Sequence, residues 1–199
     1  MRTGRMNMEH VNSEFLVDYW SRLRKGRIVP DQSDIDPRVI KHFLPAVFIL
    51  DASNPSFPTY RLAGTALCKR VGFELRGTNF LAQWDAHSFE TLASLLRRSL
   101  RLRRPVCLRS VGAVSEGCVV ELETLLAPIS SHSGEPTRFI GLAQTLNNSS
   151  ASAGASDAFQ HLTAWKLINE DDLLPVYSGW PSTLSFPARQ VEAGRRSYG

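Results

Sequence analysis

The stretch Tyr60-Arg61-Leu62-Ala63-Gly64-Thr65-Ala66-Leu67-Cys68-Lys69-Arg70-Val71-Gly72-Phe73-Glu74-Leu75-Arg76-Gly77-Thr78-Asn79-Phe80 changes period twice within a short span. Residues 59–64 alternate and read as a strand. Residues 65–71 fit about two helical turns and stop at Gly72. Residues 73–77 make a turn, and 78–84 give another short helical piece. Gly72 and Gly77 supply backbone freedom at two closely spaced points, so a chain of short helices can fold tightly across a sheet.

Working outward, Ala46-Val47-Phe48-Ile49-Leu50-Asp51 is an apolar run rich in β-branched and aromatic residues, the pattern of a buried strand. The turn Asn54-Pro55-Ser56-Phe57-Pro58 joins it to the alternating strand as a hairpin. On the other side, Asp85 caps a longer helix over about 87–102. Phe89, Leu92, Leu95, Leu96, Ser99 and Leu100 keep a 3.6-residue period there. Pro105 ends that helix. Three strands follow, at 106–114, 118–129 and 137–146, joined by Ser115-Glu116-Gly117 and by a polar loop over 130–136. In the second of them Val119, Glu121 and Glu123 alternate with Val120, Leu122 and Thr124, so one face is expected to be wet.

Upstream, residues 13–24 form an amphipathic helix with Ser13 as its expected N-cap. Phe15, Leu16, Tyr19 and Leu23 share a face that Trp20 widens. A second short helix is expected after Asp36, with Pro37 at its first position and Val39, Ile40, Phe43 and Leu44 inward. The fold class is therefore α+β: a five-stranded antiparallel sheet with helices on one face, plus N-terminal helices. The expected organisation is a disordered N-terminus over 1–12, a domain over 13–146, and a linker and tail over 147–199. The linker begins Asn147-Asn148-Ser149-Ser150-Ala151-Ser152-Ala153-Gly154, and the tail is expected to be largely disordered or extended.

The ordered motifs resemble a bacterial PAS-domain family. Tyr19-Trp20-Ser21-Arg22-Leu23-Arg24 is followed by Gly26-Arg27-Ile28-Val29-Pro30, then Asp34-Ile35-Asp36-Pro37, Leu44-Pro45 and Phe48-Ile49-Leu50-Asp51. Arg61-Leu62-Ala63-Gly64-Thr65 and Gly77-Thr78-Asn79-Phe80-Leu81-Ala82-Gln83-Trp84-Asp85 complete the series. The resemblance implies a PAS fold and a role as a non-enzymatic sensory or regulatory module in bacterial signalling. Such a module binds a small molecule or a protein partner, often as a dimer. The flavin-type Asn-Cys-Arg motif of some PAS domains is missing, and so is a well-placed haem histidine. No cofactor is expected.

The residues themselves offer no catalytic constellation. His10, His42, His87, His132 and His161 are scattered and sit in no metal or triad motif. Glu121 and Glu123 read as a solvated or salt-bridged row facing Arg109 or Arg138 across the strands. Cys68, Cys107 and Cys118 are odd in number and lack CxxC spacing, which points to unpaired core thiols. No stretch approaches the ~18 apolar residues of a membrane helix, so a soluble cytoplasmic protein is expected.

Three candidate sites remain. Phe48, Tyr60, Leu62, Leu67, Phe80, Trp84, Leu96, Leu125 and Leu142 either line a small-ligand pocket or fill a dry core, with Arg61 or Asn79 as a polar anchor. Phe15, Leu16, Tyr19, Trp20 and Leu23 form a candidate dimer seam. Arg97, Arg98, Arg101, Arg103 and Arg104 cluster at a helix C-terminus, where they complement the dipole or contact an anionic partner. The positive charge lies in residues 1–146, which carry 19 basic and 14 acidic side chains, whereas the remainder carries 4 and 5. This excess permits but does not imply an anionic partner, and the alternative reading is a nucleic-acid- or nucleotide-responsive regulator using the Arg97–Arg104 cluster. Without a recognition helix or interleaved aromatic residues, nucleic acid is not the expected partner.

Overall fold

The computed structural model describes residues 8–115, 118–131, 134–146 and 159–169. The hairpin turn at 116–117, the linker over 147–156 and the tail beyond 169 lie outside them, as do residues 1–7 of the expected disordered N-terminus.

Six antiparallel strands form one sheet in the order β2-β1-β5-β4-β3-β6. They are β1 (Val47–Asp51), β2 (Thr59–Ala63), β3 (Val106–Ser115), β4 (Cys118–Ser130), β5 (Pro136–Thr145) and β6 (Gln160–Leu167). The first five are the expected hairpin and meander. The sixth corrects the expectation of a five-stranded sheet and a core ending near Leu146. Residues 160–167 return to pair with β3 from Val106↔Leu167 to Gly112↔Gln160. The open N–H and C=O groups on the β3 edge make such an addition favourable.

Helices cover both faces of the sheet. On one face lie α2 (Thr65–Val71) and α3 (Ala86–Leu102), with a short 3-10 turn, Phe80–Gln83, between them. Gly72 and Gly77 adopt φ values of 81° and 83°, the left-handed region that the tight helix-to-turn path requires. Asp85 caps α3 as expected, accepting from the Ser88 N–H at 2.7 Å. Leu92, Leu95 and Leu96 pack with Leu108, Leu126 and Phe139 beneath it.

On the other face lies α1 (Val11–Leu23). It starts one turn earlier than expected, because His10, not Ser13, is its N-cap, and Ser13 is buried within the helix. Leu16, Tyr19, Trp20 and Leu23 are buried against Cys107, Leu125, Ala127, Ile140 and Leu142 of the sheet. The Trp20 indole N–H donates to the Pro128 carbonyl at 2.6 Å, and the Tyr19 hydroxyl accepts from the Asp36 N–H at 2.8 Å.

The expected second helix is replaced by consecutive turns over 37–43, closed by Val39 N–H to the Asp36 carbonyl and Phe43 N–H to the Ile40 carbonyl. Pro37 and Pro45 bracket a segment too short to propagate a helix. Ile40 and Phe43 are nonetheless buried as the pattern requires, while Leu44 is partly exposed.

Candidate functional site

Phe48 on β1 and Tyr60 on β2 project from the sheet toward the helical cluster. Phe80 and Trp84, at the two ends of the 3-10 turn, meet them. Their rings form a chain of contacts: Phe48–Tyr60 at 5.5 Å, Phe48–Phe80 at 6.1 Å, Tyr60–Phe80 at 5.9 Å and Phe80–Trp84 at 5.7 Å. Asn79 holds the turn by accepting from the Leu81 N–H at 3.0 Å. Phe48 pairs across the strands with Gly141 and lies directly on it. A Cβ at position 141 would stand 2.2 Å from the Phe48 Cζ.

This aromatic cluster fills most of the space between sheet and helices. What remains is a cavity of about 30 Å³. Its polar rim is formed by Arg70 on α2, Gln83 on the 3-10 turn, Thr124 on β4 and Gln160 on β6. The Tyr60 hydroxyl donates to Gln83 Oε1 at 3.3 Å, and burial pushes that hydroxyl's pKa up, so it stays protonated. The Arg70 guanidinium lies 3.5 Å from the Ala143 carbonyl oxygen. Burial lowers its pKa, with the Tyr60 oxygen opposing that shift. The Trp84 Nε1 and Gln83 Nε2 atoms are buried without a hydrogen-bond partner among the described residues. Among the described residues, no aspartate or glutamate lines the cavity.

The expected pocket residues divide. Phe48, Tyr60, Leu67, Phe80 and Trp84 do line the cavity. Leu96 belongs to the packed core beneath α3, and Asn79 serves the turn. Leu125 and Leu142 point to the opposite face, into the core under α1. Leu62 is 49% exposed on the edge strand. Arg61 faces outward and pairs with Asp51 at 3.2 Å, so neither is a pocket wall. The sequence reading missed Arg70, Gln83, Thr124 and Gln160. Arg70 had a visible signal: it stands three residues after Leu67 in α2, on the same helix face. Gln160 had none, because the strand that carries it falls after the apparent linker.

The candidate dimer seam is occupied within the chain. Leu16, Tyr19, Trp20 and Leu23 are each under 5% exposed, and Phe15 packs edge-on against Phe43 with ring centroids 5.5 Å apart. In the arginine cluster, Arg97, Arg98 and Arg101 are exposed. Arg103 ends α3 in the left-handed conformation and lies 3.5 Å from Glu135. Arg104 donates to Asn169 Oδ1 at 3.1 Å.

Two further polar clusters tie residues 9–10 and β6 into the fold. Glu123, expected on a wet face, is fully buried. Its carboxylate accepts from the backbone N–H groups of Glu9 and His10 at 2.8 and 3.1 Å. The expected cross-strand partner is present, with Arg109 lying 3.8 Å away. At the far edge, Asp85 Oδ2 stands 2.6 Å from His161 Nδ1 on β6, and His161 stacks on His87. Hydrogen bonds from Ser88 and His161 hold the Asp85 carboxyl down to about 2. The Ser88 hydroxyl oxygen accepts from the Leu162 N–H at 2.9 Å, completing the dock of β6 on α3. Among the described residues, no group of three or more His, Cys, Asp or Glu side chains is placed to hold a metal ion. Cys68 and Cys107 are free thiols, and burial pushes the Cys107 thiol up, keeping it protonated. No helix among the described residues is long and apolar enough to cross a membrane.

An antiparallel sheet carrying a cluster of short helices over a small cavity is an α+β layer architecture. The sequence matches the PAS domain family over residues 8–144, and the chain belongs to that family. PAS domains are typically sensory, non-enzymatic modules. No protein of curated function matches the chain. Among solved structures, it is similar to the LOV protein of Rhodobacter sphaeroides, with 16% identity and a TM-score of 0.43, covering 60% of this chain and 73% of that one. It is also similar to the LOV domain of the blue-light photoreceptor Aureochrome1, with 13% identity and a TM-score of 0.41, covering 57% and 91%. An RNA-binding Light-Oxygen-Voltage receptor is similar with 18% identity and a TM-score of 0.42, covering 59% and 35%.

Proposed function

We propose that this chain is a non-enzymatic sensory module that binds a small molecule in the cavity under α2 and relays its occupancy to a signalling partner. One observation carries this reading. Gln83 and Trp84, whose buried Nε2 and Nε1 lack a partner among the described residues, and the half-buried Arg70 line a cavity walled also by Phe48, Phe80, Leu67 and Leu75. An apolar wall with a few polar groups is the usual chemistry of a small-ligand site. Burying a donor without an acceptor costs on the order of 1–3 kcal/mol, so a bound acceptor is stabilising. A cavity of about 30 Å³ has room on the order of a water or two, so a larger ligand requires α2 to shift outward. The partner is a second copy or another signalling protein, met through a surface other than the buried face of α1.

Native mass spectrometry of freshly purified full chain, paired with a thermal-shift screen of small metabolites, tests this. The expected result is a co-purified small molecule or a dose-dependent rise in Tm for one chemical class. A chain recovered without ligand and indifferent to every class refutes small-molecule sensing.

A further inference from the structure

Two buried donors at the end of the 3-10 turn point to what the cavity under α2 holds. The Trp84 side chain is 3% exposed and lines the cavity, and its Nε1 has no hydrogen-bond partner among the described residues. An indole N–H only donates, so it needs an acceptor. Gln83 gives its side-chain oxygen to the Tyr60 hydroxyl at 3.3 Å, and its Nε2 is likewise buried without a partner among the described residues. Native structures pair nearly all such buried polar groups with protein or with ordered water. Trp20, the buried indole on the opposite face, keeps that rule by donating to the Pro128 carbonyl at 2.6 Å. The cavity volume of about 30 Å³ decides between occupants. Roughly 10–15 Å³ is enough for one water. One or two waters therefore fit, and a larger organic molecule does not while α2 stays in place.

We propose that this cavity is a site for one or two ordered water molecules, which accept from the Trp84 Nε1–H and the Gln83 Nε2–H and link the 3-10 turn to β4 and β6. Water both accepts and donates, and in a protein interior it typically makes about three hydrogen bonds. Thr124 on β4 and Gln160 on β6 line the same cavity, and each carries a side-chain oxygen able to accept from water. A dry space or an apolar occupant leaves both donors unsatisfied, which sets this site apart from a hydrophobic void. Gln160 makes the link consequential. Its carbonyl accepts from the Asp85 N–H and its side chain from the Ser110 hydroxyl, each at 3.0 Å. The water therefore bears on the first residue of β6 as well as on the turn. This goes beyond the small-ligand reading and does not rest on it, because a larger ligand needs α2 to shift, whereas the water occupies the cavity with α2 in place.

The test uses the full chain, in a high-resolution crystal structure and by NMR cross-relaxation between water and N–H groups in solution. The expected result is water density at hydrogen-bond distance, about 2.7–3.2 Å, from Trp84 Nε1 and Gln83 Nε2, together with a water signal on the Trp84 indole N–H. The Trp20 indole, bonded to Pro128, is the internal control and is expected to give none. Trp84→Phe keeps the ring and removes only the N–H. It is expected to lower the occupancy of the water and to speed hydrogen exchange at the Leu162 amide, beside Gln160, several-fold. Gln83→Leu removes the second donor and is read in the same way if Trp84→Phe fails to fold. A dry cavity that takes up xenon under pressure overturns the proposal, as does a molecule other than water in the cavity with α2 in place. Unchanged water density and unchanged Leu162 exchange in both variants also overturn it. The small-ligand reading fails separately, through the metabolite screen, because water occupancy and ligand binding are read by different measurements.

Discussion

Asp85 shows how much one residue fixes. It caps α3, holds His161 of β6, and donates its backbone N–H to the Gln160 carbonyl at 3.0 Å. Its carboxyl titrates near 2 in the folded chain against an ordinary 3.8. A carboxyl with a depressed folded pKa adds stability that is complete above the unfolded value and is lost as pH falls through the folded one. The contribution of Asp85 is therefore full above about pH 4 and disappears as pH approaches 2. Asn caps a helix about as well as Asp, so Asp85→Asn removes the charge and leaves the cap. Thermal denaturation from pH 5 to pH 2 is expected to show a Tm deficit in Asp85→Asn that shrinks to nothing at the acid end. A deficit that stays constant across that range contradicts the linkage. Glu123 is the opposite case of legibility. Its alternation with Leu122 and Thr124 reads as a solvent-facing position, yet it is buried because Glu9 and His10 fold over it from over a hundred residues away. Local pattern carries no information about such a cover.

At the scale of elements, α3 and α1 were both readable, since each keeps a 3.6-residue apolar period. What α1 packs against was not. An apolar stripe is equally suited to a second copy or to the far face of the sheet, and the intramolecular option prevails here because β4 and β5 offer Leu125, Ala127, Ile140 and Leu142 on that face. The strand β6 was unreadable for a different reason. Its segment follows a small polar linker and alternates only weakly, so its pairing is decided by the free edge of β3. Its energetic role follows from Leu162 and Ile168, both about 1% exposed. Truncation after Leu146 removes both, and each buried aliphatic side chain lost typically costs about 2–5 kcal/mol. The truncated chain is expected to unfold at markedly lower urea concentration than the full chain. Through the reopened β3 edge it is also expected to self-associate. Light scattering and urea titration check both, and a monomeric truncation of full-length stability contradicts the role assigned to β6.

On the scale of the whole molecule, positive charge and exposure coincide on one face of α3. Arg97, Arg98 and Arg101 are exposed, whereas Arg103 and Arg104 are engaged by Glu135 and Asn169. Three open guanidinium groups give a modest, salt-sensitive attraction for anionic polymers. The expected outcome on immobilised heparin is weak retention at low salt that is lost by physiological ionic strength. Arg97→Glu/Arg98→Glu is expected to abolish it. Tight retention above ~0.3 M salt, beyond what a few screened surface charges hold, favours a nucleic-acid-responsive role instead.

The sequence alone determined the strand order through β5, the Asp85 cap and the glycine breaks around the helical cluster, and the family to which those motifs belong. Each of these is a local property: a period, a cap or a backbone conformation set by residues a few positions apart. The tertiary structure decided which face each strand presents, so that Leu125 and Leu142 went to the α1 side while Tyr60 and Phe80 went to the cavity. It also decided the burial of Glu123, the capture of β6, and the gathering of Arg70, Gln83, Trp84 and Gln160 around one small space. Those four come from α2, a turn, its end and the last strand. Only long-range strand pairing and the burial of apolar surface bring them together, and neither is encoded in the spacing of neighbouring residues.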